Sequence, residues 1–267
     1  MTVYCETTIN YVGPEGIAAV GTAILDGRAV ATSWQTEGFE LRMLPTAVAD
    51  WRNGGHVAHV HEPELAELAR VETGCDEVVF YPAIVRDPEA AAADGDLGPI
   101  EVAHSDYTER YRAMLGAEGH PYLDILAPSM RRAGVTVADL AAARRIVTLQ
   151  VWRNIGPRSP DRPLAFCDAT TIGRGELVPH VVERYAGVPT DFESFLLMPP
   201  TDARRRWFSF PAMTADEVVL FRAYDSDAVD AGRPFWTPHC AFVDTVVGGD
   251  APARASVEMR AICVFRD

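Results

Sequence analysis

Two histidines and one aspartate in this chain have the residue types and the order of an iron site. His104 and Asp106 stand two positions apart in the segment HSDY, and His239 stands far along the chain in TPHCAF. Two imidazoles and one carboxylate can hold Fe(II) on one face and leave the opposite face open for substrates. These three residues are therefore predicted to be catalytic metal ligands, and an oxygenase is the leading hypothesis.

The spacing of His104 and Asp106 suits a shared metal ion if their segment is extended. Alternate side chains of a strand point to the same side, so both could reach one ion. Because the chain has seven histidines, a single His-x-Asp pair carries little information alone. The third ligand has to come from elsewhere, and His239 lies among aromatic residues that could orient it and shield the site.

The end of the chain adds a candidate anion-binding strand. Apolar Ala255, Val257, Met259, Ala261, Cys263 and Phe265 share one face, whereas Arg254, Ser256, Glu258 and Arg260 share the other. Such a polar face is accommodated if it lines a pocket. The guanidinium of Arg254 and the hydroxyl of Ser256 could grip the remote carboxylate of a 2-oxo diacid. Arg260, on the same face, is the alternative anchor.

The elements that must position these residues are mostly strands in the second half of the chain. Strand patterns cover 146–152, 163–172, 207–213 and 218–224. Helical patterns are predicted near 63–72, 107–117 and 137–145. The last begins with Thr136 and Asp139 as capping residues. The Ala/Asp/Gly segment 87–99 is predicted to be a loop at the edge of a lid.

Composition excludes some classes of function. The length of 267 residues suits one domain, since single β-barrels with added helices commonly reach it. Acidic residues outnumber basic ones 38 to 24, and the formal charge of -14 opposes a broad nucleic-acid-binding surface. An anionic cosubstrate would therefore need a local cation in its pocket.

Cysteine usage and the N-terminus indicate a cytoplasmic protein. Five cysteines without CxxC spacing do not make a complete disulfide framework, and they fit a reducing compartment. The N-terminus lacks a basic segment leading into an apolar stretch, and no run approaches the roughly 18 apolar residues that span a bilayer. The chain is predicted to be neither secreted nor embedded in a membrane.

From about residue 100 to its end, the chain resembles a known enzyme family. This family is the Fe(II)/2-oxoglutarate-dependent hydroxylases and desaturases of secondary metabolism, which includes cephalosporin 7α-hydroxylase-type and gibberellin desaturase-like proteins. The resemblance rests on an ordered series of segments: HSDYT at 104–108, VWRNIGP at 151–157, PLAFCDA at 163–169, WFSFPAMTADEVVLFRAYDS at 207–226, TPHCAF at 237–242 and RASVEMRAICVF at 254–265.

The resemblance implies a mainly β fold with supporting helices, built around a double-stranded β-helix, the jelly roll of cupin-like proteins. Residues 1–267 would form a single oxygenase domain. Within it, 1–100 would be an N-terminal elaboration and 101–267 the jelly-roll core with inserted helices.

The resemblance also assigns roles to the motif residues. His104, Asp106 and His239 would bind Fe(II), while Arg254 with Ser256 would hold the distal carboxylate of the cosubstrate 2-oxoglutarate. O2 would be the second cosubstrate. In the implied reaction, oxidative decarboxylation of 2-oxoglutarate yields an Fe(IV)-oxo intermediate, which hydroxylates or desaturates a medium-sized natural product of a biosynthetic pathway.

Three further residues are candidates for substrate contact. Tyr107 adjoins the histidine motif, and Trp152 with Arg153 lies in the segment VWRNIGP. The competing interpretation is that these side chains pack in the core and form structural ion pairs. Both interpretations stay open from the sequence.

One alternative function shares the same ligands. A non-redox cupin-like isomerase or small-ligand-binding protein could use the barrel and the three metal ligands without 2-oxoglutarate. The Arg-x-Ser pair favours the oxygenase. Strand edges that are expected to be exposed make a homodimer a further prediction.

Overall fold

Strands dominate the structure, a computed structural model that describes residues 1–266. The strands are β1 (Val3–Gly13), β2 (Gly16–Asp26), β3 (Phe39–Met43), β4 (Glu77–Phe80), β5 (Ile84–Arg86), β6 (His104–Ser105), β7 (Arg145–Asn154), β8 (Leu164–Cys167), β9 (Leu177–Tyr185), β10 (Val188–Leu197), β11 (Trp207–Ser209), β12 (Glu217–Asp225), β13 (His239–Ala241) and β14 (Ser256–Phe265). The α-helices are α1 (Gly54–Thr73), α2 (Pro88–Ala93), α3 (Tyr111–Leu115), α4 (Pro121–Ala133), α5 (Val137–Ala142) and α6 (Ser226–Asp230).

The strands form two sheets. One has eight strands in the order β1-β2-β11-β8-β13-β6-β10-β9. The other has six, in the order β3-β12-β7-β14-β4 with β5 beside β14. Neighbouring strands are antiparallel except β2 and β11, which are parallel. The predicted mainly β fold with supporting helices is confirmed.

The alternating strand β14 is buried on both faces. Its apolar residues, among them Met259 and Cys263, pack in one cluster with Val57 and Leu65 of α1. Its charged residues Glu258 and Arg260 line a cavity instead of meeting bulk water. The periodicity of two therefore separates a core-forming face from a site-forming face on one strand.

The first hundred residues take part in both sheets. Strands β1 and β2 belong to the eight-stranded sheet, and β3, β4 and β5 belong to the six-stranded sheet. The division into an elaboration and a core within one domain stays a prediction.

Local signals account for where the helices begin and end. Helix α1 starts well before the predicted 63–72, because the Asn53 side chain accepts a hydrogen bond from the His56 amide and caps it. The predicted capping box of Thr136 and Asp139 is present at the start of α5. Within residues 1–266, no helix is both long and apolar enough to cross a membrane.

The structure corrects one expectation about local elements and contains two elements that were not predicted. The segment 87–99 is not a plain loop, because Asp87 caps the short helix α2 and a 3-10 turn follows at Gly95–Leu97. Helix α4 was not predicted, although Pro121 in its first turn and the left-handed Gly134 after its end are typical boundary residues. The β9-β10 hairpin was missed because many of its side chains are exposed and give no clean alternation.

Candidate metal centre

His104, Asp106 and His239 come together at one place between the strands. The residues of β6 and β13 are paired so that His104 lies directly opposite His239. Asp106 lies directly after the end of β6, two positions beyond His104, as the extended spacing predicted. One ligand atom from each of the three residues lies within 4.8 Å of the other two.

Both histidines are oriented by their own backbone. Nδ1 of His104 is 2.8 Å from the carbonyl oxygen of Val102, and Nδ1 of His239 is 3.0 Å from that of Thr237. A carbonyl oxygen can only accept, so each Nδ1 carries the proton and each Nε2 keeps a free lone pair. Burial, reinforced by the neighbouring His239, lowers the pKa of His104 to about 4. His104 is therefore neutral at pH 7, as a metal ligand must be.

Asp106 presents one free carboxylate oxygen. Its Oδ1 accepts a hydrogen bond of 3.0 Å from Nη2 of Arg260. Its Oδ2 is buried and has no hydrogen-bond partner among residues 1–266. Burial alone would raise the pKa of Asp106, but Arg260 and the two histidines hold it below its usual value. A buried, ionised oxygen without a partner beside two free imidazole nitrogens is a donor set that fits Fe(II).

Close packing fixes the strand that carries His239. The His239 ring lies edge-on to Phe221, with 4.8 Å between ring centroids. Upstream, the Thr237 hydroxyl donates to the Gly38 carbonyl over 3.0 Å. A Cβ on Gly38 would lie 2.3 Å from Oγ1 of Thr237, and Gly38 has φ +99°. Glycine is thus required there for β13 to approach β3.

The polar face of β14 carries a ladder of buried charges. Oε1 of Glu258 lies 3.1 Å from Nη2 of Arg86 and 3.7 Å from Nη2 of Arg260. The Gln150 side-chain amide donates to the other oxygen of Glu258 over 3.1 Å. Burial alone would raise the pKa of Glu258, but the two arginines lower it. Glu258 is therefore a charged partner for both arginines.

Arg254 differs from the other arginines of the cavity. Its Nη1 donates to the carbonyl of Arg162 over 3.1 Å, its guanidinium lies 5.9 Å from the ring centroid of Trp152, and its Nε is buried without a partner. No carboxylate within residues 1–266 forms an ion pair with it, whereas Arg52, Arg86, Arg132 and Arg260 each have one. Burial, together with the nearby Arg86, lowers the pKa of Arg254 to about 10.

Ser256, like Arg254, has a buried polar atom without a hydrogen-bond partner. Its hydroxyl is buried and forms no hydrogen bond with the described residues. Buried polar groups normally have partners, so these two atoms are candidates for binding an anionic ligand. Ser256 is not among the residues that line the cavity, and Nε of Arg260 is also buried without a partner. Arg260 is already bound to Asp106. The geometry thus favours Arg254 over Arg260 as the anchor of a carboxylate.

One cavity of about 930 Å³ joins these groups. The metal triad, Arg254 and Arg260 all line it. The rest of its wall is mostly apolar and comes from distant parts of the chain: Phe80, Ile84 and Val85 near β4 and β5, Ile125 of α4, and Val182, Val188, Phe192 and Leu196 of β9 and β10. Such a wall suits an apolar organic ligand of medium size.

The three candidate substrate residues do not all reach this cavity. Tyr107 and Trp152 line it. Arg153 does not, because it follows Trp152 on β7 and points to the opposite face. There its guanidinium donates to the backbone carbonyls of Leu44, at 2.7 Å, and Ala215. Of the two interpretations left open for Arg153, these contacts fit the structural one.

Sequence reasoning missed Arg86. It is buried at the end of β5, and its Nη1 donates to the carbonyls of Asp96, at 2.8 Å, and Gly98, at 2.9 Å. It also contacts Tyr185 at the tip of the β9-β10 hairpin. Arg86 therefore connects Glu258 on β14 to the segment 96–98 and to the β9-β10 hairpin, all of which contribute to the cavity wall. No local motif marks it, because all these partners are remote in sequence.

A comparison with known families agrees with this geometry. A family model described as an oxidoreductase/YMDC permease-like domain matches residues 18–264. The chain belongs to this family. Similar curated proteins include the "Fe(II)/2-oxoglutarate-dependent dioxygenase nvfI" of Aspergillus novofumigatus, 28% identical over 199 residues that make up 74% of this chain and 64% of the relative. The match to this relative thus leaves about a third of its length uncovered.

Two further relatives from fungi match. The "Alpha-ketoglutarate-dependent dioxygenase phiK" of a fungal species is 26% identical over 86% of this chain and 79% of its own length. The "Hydroxylase/desaturase asaB" of Aspergillus flavus is 32% identical over 46% of this chain and 57% of its own length. The predicted resemblance of this chain to Fe(II)/2-oxoglutarate-dependent hydroxylases and desaturases is confirmed.

Solved structures confirm the fold. The "iron and alpha-ketoglutarate-dependent endoperoxidase NvfI" superimposes with a TM-score of 0.75 at 23% identity, covering 99% of this chain and 98% of that one. A structure of NvfI in a different conformation gives a TM-score of 0.73 at 21% identity, with 100% and 99% of the chains covered. The predicted jelly-roll fold is therefore confirmed for this chain.

Proposed function

We propose that this protein is an Fe(II)- and 2-oxoglutarate-dependent oxygenase that hydroxylates or desaturates a natural product in a biosynthetic pathway. One observation carries the proposal. The converging side chains of His104, Asp106 and His239 share a cavity with Arg254, whose buried Nε has no partner among the described residues. Two positions further along, the buried hydroxyl of Ser256 has none either. The names of the relatives support this class of enzyme and its cofactors.

In this proposal the two groups of residues bind the metal and its cosubstrate. The Nε2 atoms of His104 and His239 and Oδ2 of Asp106 would hold Fe(II). Bound iron, with 2-oxoglutarate and O2, would supply the oxidising power that breaks a substrate C–H bond. Arg254 and Ser256 would bind the distal carboxylate of 2-oxoglutarate, a dianion that the overall charge of -14 repels.

The cavity wall would exclude water and orient the substrate. Its apolar side chains and paired charges suit an uncharged, largely apolar natural product. Tyr107 and Trp152 are the proposed contacts, with the Tyr107 hydroxyl 2.7 Å from that of Tyr122. The position of the bound substrate would decide between hydroxylation and desaturation. After the first C–H bond is broken, hydroxylation forms a C–O bond, whereas desaturation breaks a second C–H bond.

Arg254, which has no carboxylate partner among the described residues, also weighs against the alternative of a non-redox cupin-like isomerase or ligand-binding protein. Such a protein would use the metal without a dicarboxylate. Arg254, unlike the equally buried Arg222, lines the cavity, and there its guanidinium could bind the distal carboxylate of a dicarboxylate cosubstrate.

The proposal is tested by anaerobic titration of the protein with Fe(II) and 2-oxoglutarate. We expect the weak visible charge-transfer band of a metal-bound 2-oxo acid. His104→Ala should abolish the band, and Arg254→Gln should require on the order of 10- to 100-fold more 2-oxoglutarate, because a charge-assisted hydrogen-bonded pair is lost.

Arg222→Gln is the matched control. Arg222 is equally buried, but it lies outside the cavity and its Nη1 donates to the Gln35 carbonyl over 2.7 Å. It should leave the band and its 2-oxoglutarate dependence unchanged. Absence of the band in the wild-type protein at saturating Fe(II) and 2-oxoglutarate would refute the proposed function.

The compartment and the partners belong to the same proposal. All five cysteines are free thiols, which supports a reducing compartment such as the cytoplasm. The proposed partner is a small-molecule substrate, without nucleic acid or membrane. The homodimer stays a prediction.

A further inference from the structure

Arg260 bridges the two sheets at the metal centre. It lies on β14 in the six-stranded sheet, while Asp106 directly follows Ser105 of β6 in the eight-stranded sheet. The hydrogen bond of 3.0 Å between Nη2 of Arg260 and Oδ1 of Asp106 joins residues 154 positions apart. The same carboxylate leaves Oδ2 buried and unpaired among the described residues.

We propose that Arg260 is a positioning residue that makes Asp106 a one-oxygen metal ligand. The inference rests on the proposed function. With Oδ1 held by the guanidinium, only Oδ2 remains to meet a metal ion. The two histidines and Asp106 then offer three donor atoms rather than four, and the metal keeps the open positions that a chelating 2-oxo acid and O2 require.

The surroundings of Arg260 keep it in this role. Glu258 lies 3.7 Å from the same nitrogen and is itself held by Arg86 and Gln150. Arg260 is therefore flanked by two carboxylates on the inner face of the barrel. Turning it toward the carboxylate of 2-oxoglutarate would leave Asp106 and Glu258 with less compensation in a buried site, which is unfavourable.

The two inward arginines consequently have separate tasks. Arg254 has no carboxylate partner within residues 1–266 and would recognise the distal carboxylate of the cosubstrate. Arg260 would act on the metal ligand and not on that carboxylate. These tasks can be separated by comparing two 2-oxo acids, because 2-oxobutyrate chelates a metal as 2-oxoglutarate does but lacks the distal carboxylate.

The experiment uses the full chain loaded with Co(II), which binds 2-oxo acids without turnover. Two quantities are measured: the visible absorption spectrum of Co(II) without any 2-oxo acid, and the ratio of the dissociation constants of 2-oxobutyrate and 2-oxoglutarate. The affinity for Co(II) does not by itself test the inference. Removing the Arg260 cation reduces its repulsion of Co(II), and it also frees Oδ1 of Asp106 as a further donor atom, so either effect could change the affinity.

Arg260→Gln should change the Co(II) spectrum, because Asp106 regains its second oxygen, and it should preserve the ratio of dissociation constants. Arg260→Lys keeps a cation that can donate to Oδ1 and should return the spectrum toward that of the wild type. Arg254→Gln should do the reverse: the spectrum stays, and the ratio falls about 10- to 100-fold. Arg222→Gln should change neither quantity.

Two results would overturn the inference. One is a Co(II) spectrum of Arg260→Gln identical to that of the wild type. The other is a collapse of the dissociation-constant ratio in Arg260→Gln, which would make Arg260 the cosubstrate anchor. If Arg260→Gln does not fold, Arg260→Lys is measured instead, and a collapse of its dissociation-constant ratio would likewise overturn the inference. Failure of the wild-type protein to bind Co(II) or 2-oxoglutarate would instead refute the proposed function itself.

Discussion

His104 and His239 are held by the same local device. In each, Nδ1 donates to the carbonyl of the residue two positions earlier, at 2.8 Å and 3.0 Å. This geometry needs only an extended backbone, so it can arise wherever a histidine stands on such a segment. What distinguishes these two histidines from the others is that their free nitrogens converge with Asp106.

Ser256 allows a residue-scale test of the cosubstrate site. Because its hydroxyl forms no hydrogen bond with the described residues, Ser256→Ala should leave the free energy of unfolding almost unchanged. It should weaken 2-oxoglutarate binding by roughly 10-fold, the value of one hydrogen bond to a charged group. Chemical denaturation and cosubstrate titration measure the two effects.

Ser209→Ala is the matched control for this prediction. The Ser209 hydroxyl is also buried but donates to the Leu164 carbonyl over 2.9 Å. Its loss should lower the free energy of unfolding by about 1 kcal/mol and leave 2-oxoglutarate binding unchanged. Equal 2-oxoglutarate affinities of Ser256→Ala and the wild type would contradict the assigned role.

At the scale of elements, the pairing of strands β7 and β14 positions the polar residues beside the metal centre. Their register places Ser256 opposite Asn154 and Arg260 opposite Gln150. Beyond the end of β7 the chain passes very close to Ala255. A Cβ on Gly156 would lie 2.9 Å from both the Cβ and the backbone nitrogen of Ala255.

Gly156→Ala should therefore displace the backbone that carries Arg254 and Ser256. We expect weaker 2-oxoglutarate binding and a loss of about 1–3 kcal/mol in the free energy of unfolding, since the clash is with backbone and cannot be relieved by a rotamer change. Gly175→Ala is the control, because a Cβ there meets nothing within 4 Å. Identical behaviour of the two variants would show that the close approach does not position the site.

At the scale of the whole molecule, ion pairs between the two sheets stabilise the barrel. Besides Arg260 and Asp106, Arg28 follows β2 and donates to both oxygens of Glu217, over 2.7 Å and 2.9 Å, where β12 begins. These hydrogen bonds from Arg28 lower the pKa of Glu217 to about 2, against the opposing effect of burial.

This pKa shift predicts part of the acid sensitivity of the fold. A carboxylate with a lowered pKa stabilises the folded state above its ordinary value of 4.5, and this contribution is lost as the pH falls toward 2. Glu217→Gln should thus be less stable than the wild type at pH 7, and the difference should shrink steadily below pH 4.5. Urea denaturation across this range measures it.

Glu118→Gln is the control for the acid range. Glu118 is exposed and forms no hydrogen bond or ion pair with the described residues. It should match the wild type at every pH. A stability difference for Glu217→Gln that is the same at pH 7 and pH 3 would show that the ion pair with Arg28 does not contribute as its geometry indicates.

Much of the site could be predicted from local patterns. Alternation on an extended chain put His104 and Asp106 on one side, and it put Arg254, Ser256, Glu258 and Arg260 on one face of the last strand. Alternation also put Trp152 and Arg153 on opposite faces of β7, but both interpretations of Arg153 stayed open because periodicity does not say which face looks inward. Helix α4 and the β9-β10 hairpin were missed for similar reasons, since packing rather than local propensity decides such elements.

The sequence by itself determined the chemical groups available, their alternation along each strand, and the family to which they belong. Only the tertiary structure decided how the arginines divide their tasks. Arg254 and Arg260 are the same residue type and share one strand face. They differ because Arg260 forms an ion pair with a carboxylate and Arg254, among the described residues, does not. Asp106 reaches Arg260 from 154 positions away, whereas Arg254 meets a carbonyl and an aromatic ring. Charge pairing depends on distance in space, which folding across the two sheets sets and local sequence does not.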